Sequence, residues 1–88
     1  NKQNTVNVVQ RKIYTDKNKV EDKMKELVNR FNNSNVIEFR SIIKESESKL
    51  ETVVTFLALL ELIKLRVIIA YQDGNFKEIL MKRRVENE

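Results

Sequence analysis

Chemistry in this chain rests on carboxylates, hydroxyls, amides and cations, because it contains no histidine, no cysteine and a single glycine, Gly74. Without imidazole or thiolate, metal sites built on those ligands are excluded, and so is the common histidine-based activation of a nucleophile. One glycine cannot form the glycine-rich loop that cradles phosphates. The carboxylates are interleaved with bases, as in Lys19–Val20–Glu21–Asp22–Lys23 and Lys44–Glu45–Ser46–Glu47–Ser48–Lys49, the pattern of solvated helix faces and loops. Glu61 differs, standing inside an apolar run. A pair with Lys64 or Arg66 is one reading of it, and a hydrogen bond to a partner is the other. The chain is expected to be no enzyme and to carry no cofactor.

That apolar run, Val53 to Leu65, is the most informative stretch. Placed on a helix at 100° per residue, it lacks the single stripe of a surface helix. Val54, Ala58 and Leu65 cluster on one side, Val53, Leu57 and Leu60 on a second, and Phe56, Leu59 and Ile63 continue toward a third. Leu62 stands apart among Glu51, Thr55 and Arg66. An 88-residue chain forms one domain and buries roughly two-thirds of its unfolded surface, too little to wrap a helix on all sides. The run is also shorter than the ~20 apolar residues that span a bilayer. Part of this helix is therefore expected to be covered by a partner.

Seventeen Lys and Arg against thirteen Asp and Glu leave a net charge of +4, but the signs alternate and only Lys82–Arg83–Arg84 is an undiluted basic cluster. With no cysteine, no signal-peptide pattern and Asn1 at its start, the chain reads as a piece of a longer cytoplasmic protein.

Along the chain, residues 1–14 read as the end of a linker or an extended segment, with Val6–Tyr14 rich in β-branched residues, and residues 15–88 as the domain. Asn18 with Glu21 forms a capping-box pattern before Val20, Met24, Leu27, Val28 and Phe31, predicting a helix over Lys19–Asn32. The Asn32–Asn35 turn stops it. Val36–Ile37 reads as a very short strand, and Phe39, Ile42 and Ile43 suit a second helix over Glu38–Glu45. Ser48 with Glu51 caps a third helix over Lys49–Leu65. Val67–Gln72 reads as a strand, Asp73–Gly74 as a hairpin turn, and Asn75–Lys82 as the returning strand, with Phe76 in the turn or at a bulge. Three helices and a β-hairpin in that order define an α+β winged helix.

Thr55 to Lys64, a following strand that ends in Gln72, and Phe76 and Ile79 in the returning strand closely resemble the C-terminal winged-helix domain of bacterial kleisins, in the segregation and condensation protein A branch. The likeness covers Asn18 to Lys82 and is densest from Val53 to Ile79. Arg66 and Lys77 depart from the residues common at those places. The resemblance implies a non-enzymatic module that docks on the ATPase head of a structural maintenance of chromosomes (SMC) protein. It further implies that the full-length protein binds a second winged-helix protein, segregation and condensation protein B, through its middle region. DNA would then be engaged only indirectly, through a complex located at the cytoplasmic nucleoid that condenses and segregates chromosomes.

The apolar third helix supports such docking independently, because a DNA-reading helix presents Arg, Lys, Asn or Gln to bases and phosphates. The family analogy points to Phe56 and Leu60 as contacts with the SMC head. Helical geometry adds Leu59 and Ile63, and the hairpin offers Tyr71 and Phe76, with Ile69 less decided and Ile79 assigned to the core. Any one of these could instead belong to the domain's own core. Two rivals stand beside this reading: DNA binding through Lys77, Lys82, Arg83 and Arg84, and self-association through the apolar face.

Overall fold

The computed structural model describes residues 17–72, 74 and 78–85. In chain order they form α1 (Lys17–Asn33), β1 (Ile37–Glu38), α2 (Phe39–Lys44), α3 (Lys49–Lys64), β2 (Ile68–Gln72) and β3 (Ile79–Arg83). The strands make one antiparallel sheet in the order β1-β3-β2, with β3 in the centre. This is a winged helix whose wing strands are joined by a third short strand.

Asn18 lies inside α1 and is not its cap. The cap of α3 follows the sequence: the Ser48 hydroxyl accepts the Glu51 amide at 3.0 Å. The Glu51 carboxylate accepts in return from the Glu47 amide at 2.8 Å, one residue before the usual capping-box partner. At the other end α3 closes with a Schellman motif, in which the Arg66 amide donates to Ile63 and the Val67 amide to Leu62. This places Arg66 in the left-handed region, at φ 63°.

The core takes residues from every element: Leu27 and Phe31 of α1, Ile37 of β1, Ile42 of α2, Ala58, Leu59 and Leu62 of α3, Ile68 of β2 and Met81 of β3. Each of these side chains other than Ala58 contributes roughly 1.5–3 kcal/mol on burial. Met81 pairs with Ile37 on one side and Ala70 on the other, so the middle of the sheet is anchored beneath the helices. Polar contacts tie the helices outside the core. Arg30 of α1 holds Glu45 with two bonds of 2.6 and 3.0 Å, and Lys23 reaches both Glu26 at 2.9 Å and Glu51 at 3.5 Å.

The wing differs from the sequence reading. Among the described residues the last pair of β2 and β3 is Gln72 with Ile79, a register that does not fit a two-residue turn at Asp73–Gly74. Gly74 does take a positive φ, 57°, which glycine adopts without steric cost. The expectations for residues 1–14, Asp73, Phe76 and Lys77 lie outside the described residues.

Candidate functional site

Helix α3 is fixed by a stripe of buried residues, Val54, Thr55, Ala58, Leu59 and Leu62, at the spacing of one helical face. Leu59 is 1% exposed and is a core residue, which corrects its assignment to the docking face. Leu62, expected on a polar side, is equally buried. The polar side was an artefact of the wheel: Thr55 is itself buried, and Arg66 has left the helix for the left-handed turn.

With that stripe turned inward, the opposite side of α3 presents Val53, Phe56, Leu57, Leu60 and Ile63. Phe56 is 40% and Leu60 48% exposed, whereas Val53, Leu57 and Ile63 are half-buried and Ile63 packs partly against the core. Lys49 and Lys64 stand exposed at the two ends of the same side. The Phe56 ring meets Phe39 of α2 edge-on, with centroids 6.0 Å apart and planes at 77°. Aromatic pairs of this geometry add about 0.5–1.5 kcal/mol and hold the ring in place. The result is a rigid aromatic anchor beside an aliphatic one, the composition typical of residues that dominate binding energy.

Glu61 is half-buried at the edge of this face and pairs with neither Lys64 nor Arg66. Tyr71, 37% exposed, does not lie on the α3 stripe. It pairs with Leu80 on the sheet face that alternates away from Ala70 and Met81, so it belongs to a separate surface pointing away from the core. Ile79, assigned to the core from sequence, is 40% exposed, because it sits at the last rung of the ladder beyond the reach of the helices.

Sequence reasoning missed the part of Phe39, whose spacing from Ile42 and Ile43 served only to mark a second helix; its contact with Phe56 has no local signal. Val53 and Leu57 were grouped with Leu60 on the wheel and could have been included. Among the described residues no acidic cluster is placed to hold a metal ion, and no helix is long and apolar enough to cross a membrane.

Electrostatics concentrate at the start of α3, away from the apolar face. The Glu51 carboxyl is held below its ordinary value, chiefly by the Glu47 amide, with desolvation opposing it and the Lys23 charge and hydrogen bond adding to the lowering. Lys23 is raised, chiefly by its bond to Glu26 and by the charges of Glu26 and Glu51, with desolvation acting against them.

The fold and this face define a winged helix whose third helix presents apolar side chains where DNA-reading members present basic ones. The chain belongs to the family described as segregation and condensation protein ScpA, whose model matches residues 1–83. It is 48% identical over 87 residues to segregation and condensation protein A of Clostridium botulinum strain Alaska E43, covering 99% of this chain and 35% of that protein. To the protein of the same name in Clostridium acetobutylicum it is 49% identical over 80 residues, 91% of this chain and 32% of the relative. To that of Thermoanaerobacter sp. strain X514 it is 41% identical over 70 residues, 80% and 29% respectively. The chain spans about a third of the length of these curated relatives.

Proposed function

We propose that this domain is a non-enzymatic docking module that attaches a kleisin to the ATPase head of an SMC protein, and so serves chromosome segregation and condensation. One observation carries the reading: the core is complete without Phe56 and Leu60, which stay exposed side by side on α3. Burying their exposed parts on a partner contributes about 3–4 kcal/mol at ~25 cal/mol per Å², before the costs of association. Val53, Leu57 and Ile63 widen the contact. Glu61, with no ion pair among the described residues, supplies a hydrogen-bond acceptor at its edge. In this reading the remainder of the full-length protein engages the other SMC subunit and segregation and condensation protein B, DNA is held through the assembled complex, and the site of action is the nucleoid.

The test is binding of the domain to an isolated SMC head by titration calorimetry, with and without ATP. Phe56→Asp and Leu60→Asp are expected to weaken binding at least 100-fold, since each buries a charge in an apolar contact, while circular dichroism stays that of the parent. Full binding by both variants would refute the assignment.

A further inference from the structure

The sheet has an open edge. In the order β1-β3-β2, the strand Ile68–Gln72 pairs with β3 on one side, and among the described residues no backbone bond outside that ladder involves it. The Arg84 amide donates to the Val67 carbonyl at 2.9 Å, one rung beyond the ladder, and this fixes the ladder's phase. Bonded pairs alternate along antiparallel strands, so Val67, Ile69 and Tyr71 turn their amides and carbonyls to β3 while Ile68, Ala70 and Gln72 turn theirs outward. Edge strands are normally guarded by charged side chains, proline, a bulge or very short length. This one is five residues long and uncharged, in a chain that carries a net charge of +4. We propose that the β2 edge pairs antiparallel with the same edge of a second copy, about a two-fold axis at Ala70, to make one continuous six-stranded sheet.

The edge is complementary to itself. With Ala70 opposite Ala70 of the second copy, Ile68 meets Gln72 on each side of the axis, and every outward amide of one copy finds an outward carbonyl of the other. A shift by one residue sets these groups against residues already bonded to β3. A shift by two sets Ile68 against Gly74 or Gln72 against Arg66, whose positive φ takes them out of the extended strand. The favoured register also brings Ile69 against Tyr71 of the second copy, twice, at the positions where cross-strand side chains come closest. Aromatic and β-branched residues paired in this way stabilise sheets. Tyr71 is 37% exposed and Ile69 half-buried, so surface is left there for a neighbouring strand to cover. Ala70, at the axis, is small and exposed and brings neither bulk nor charge. The assembly stops at two copies, because the other edge of the sheet is β1, only two residues long.

The test is sedimentation equilibrium of the 88-residue chain, with amide exchange followed by NMR at the lowest and highest concentrations. The mass should rise from monomer to dimer, and no further, between about 1 µM and about 1 mM, the range of a small strand-to-strand contact. As the dimer forms, the amides of Ile68, Ala70 and Gln72 should slow about 10-fold more than those of Ile69 and Tyr71, which β3 already holds. Ala70→Pro removes an outward amide and leaves the β3 ladder whole, as edge strands allow, and should weaken dimerisation by about 10-fold or more with unchanged circular dichroism. Tyr71→Lys, at an exposed position, should weaken it similarly by placing a charge on the edge, and keeps the question answerable if the proline disturbs the strand. Leu60→Asp should leave the dimer intact, so this pairing and the docking of α3 on a head fail separately. A monomer at the highest concentration would overturn the inference, as would a dimer lost in Leu60→Asp but kept in Ala70→Pro and Tyr71→Lys. Slow exchange of the three outward amides in a monomer would overturn it too, since another segment of the same chain would then cover the edge.

Discussion

Phe39 stands edge-on to Phe56 at 6.0 Å, and this contact fixes a ring that nevertheless keeps 40% of its surface in solvent. A half-exposed aromatic held by a neighbour loses little side-chain freedom when a partner covers it, and that saving appears as affinity. The two residues belong to different helices, so α2, only six residues long, matters to the candidate site through this support.

Replacing Phe39 with leucine tests that support. Phe39→Leu retains an apolar side chain but removes the edge-to-face pair, so stability should fall by about 1 kcal/mol. Affinity for the SMC head should drop about five-fold, in the range of one ordered side chain. Urea denaturation and calorimetry separate the two effects; a loss of stability with no loss of affinity would show that Phe56 needs no preorganisation.

Arg66 bears a cost of backbone strain that glycine would relieve. Its left-handed conformation closes the Schellman motif, and an L-residue there is roughly 1–2 kcal/mol worse than in the right-handed region. Arg66→Gly should therefore raise stability by about 0.5–1 kcal/mol, after the added freedom of the unfolded chain is subtracted. Thermal denaturation should show a higher midpoint, and head binding should not change. A lower midpoint would mean that the arginine side chain makes a compensating contact.

The cap of α3 gives a pH dependence with a defined sign. Because the Glu51 carboxyl is depressed in the fold, its contribution is present above its ordinary value of 4.5 and is lost as pH falls through the lower folded value. Lys23, raised in the fold, contributes fully below its ordinary 10.5 and loses that contribution as pH rises through the higher folded value. Glu51→Gln should flatten the acid limb of a stability-pH curve and leave the alkaline limb nearly as steep. Ser48→Ala should cost about 1 kcal/mol at neutral pH, and an unchanged acid limb in Glu51→Gln would remove the carboxylate from the account.

What the sequence revealed and what it hid follow from the range of the interactions. The Ser48–Glu51 cap and the helix it starts depend on residues three apart, and the structure places both where that spacing put them. The capping pattern read at Asn18 does not hold, because Asn18 lies inside α1. The sheet was less legible: Ile37 meets Met81 only after the chain has passed through two helices and a strand, and no local pattern announces such a pairing. On α3, Leu62 was set among Thr55 and Arg66 as if both were polar surface, whereas Thr55 is buried and Arg66 lies in the left-handed turn past the helix.

Leu59 and Leu60 are neighbours in sequence with opposite environments, 1% and 48% exposed. Leu59→Ala removes buried methyl groups from a cluster fed by every element, and should cost about 2–4 kcal/mol of stability with residual head affinity in the fraction that stays folded. Leu60→Asp removes nothing from the core and should change stability by less than about 0.5 kcal/mol, the range of ordinary surface substitutions, while abolishing head binding. Urea midpoints and calorimetry on the pair decide whether the apolar excess of α3 is divided as the structure divides it. If Leu60→Asp unfolds the domain, Leu60 is a core residue and the docking face must lie elsewhere. If both variants retain stability and head binding, the core assignment of Leu59 fails together with the interface assignment of Leu60.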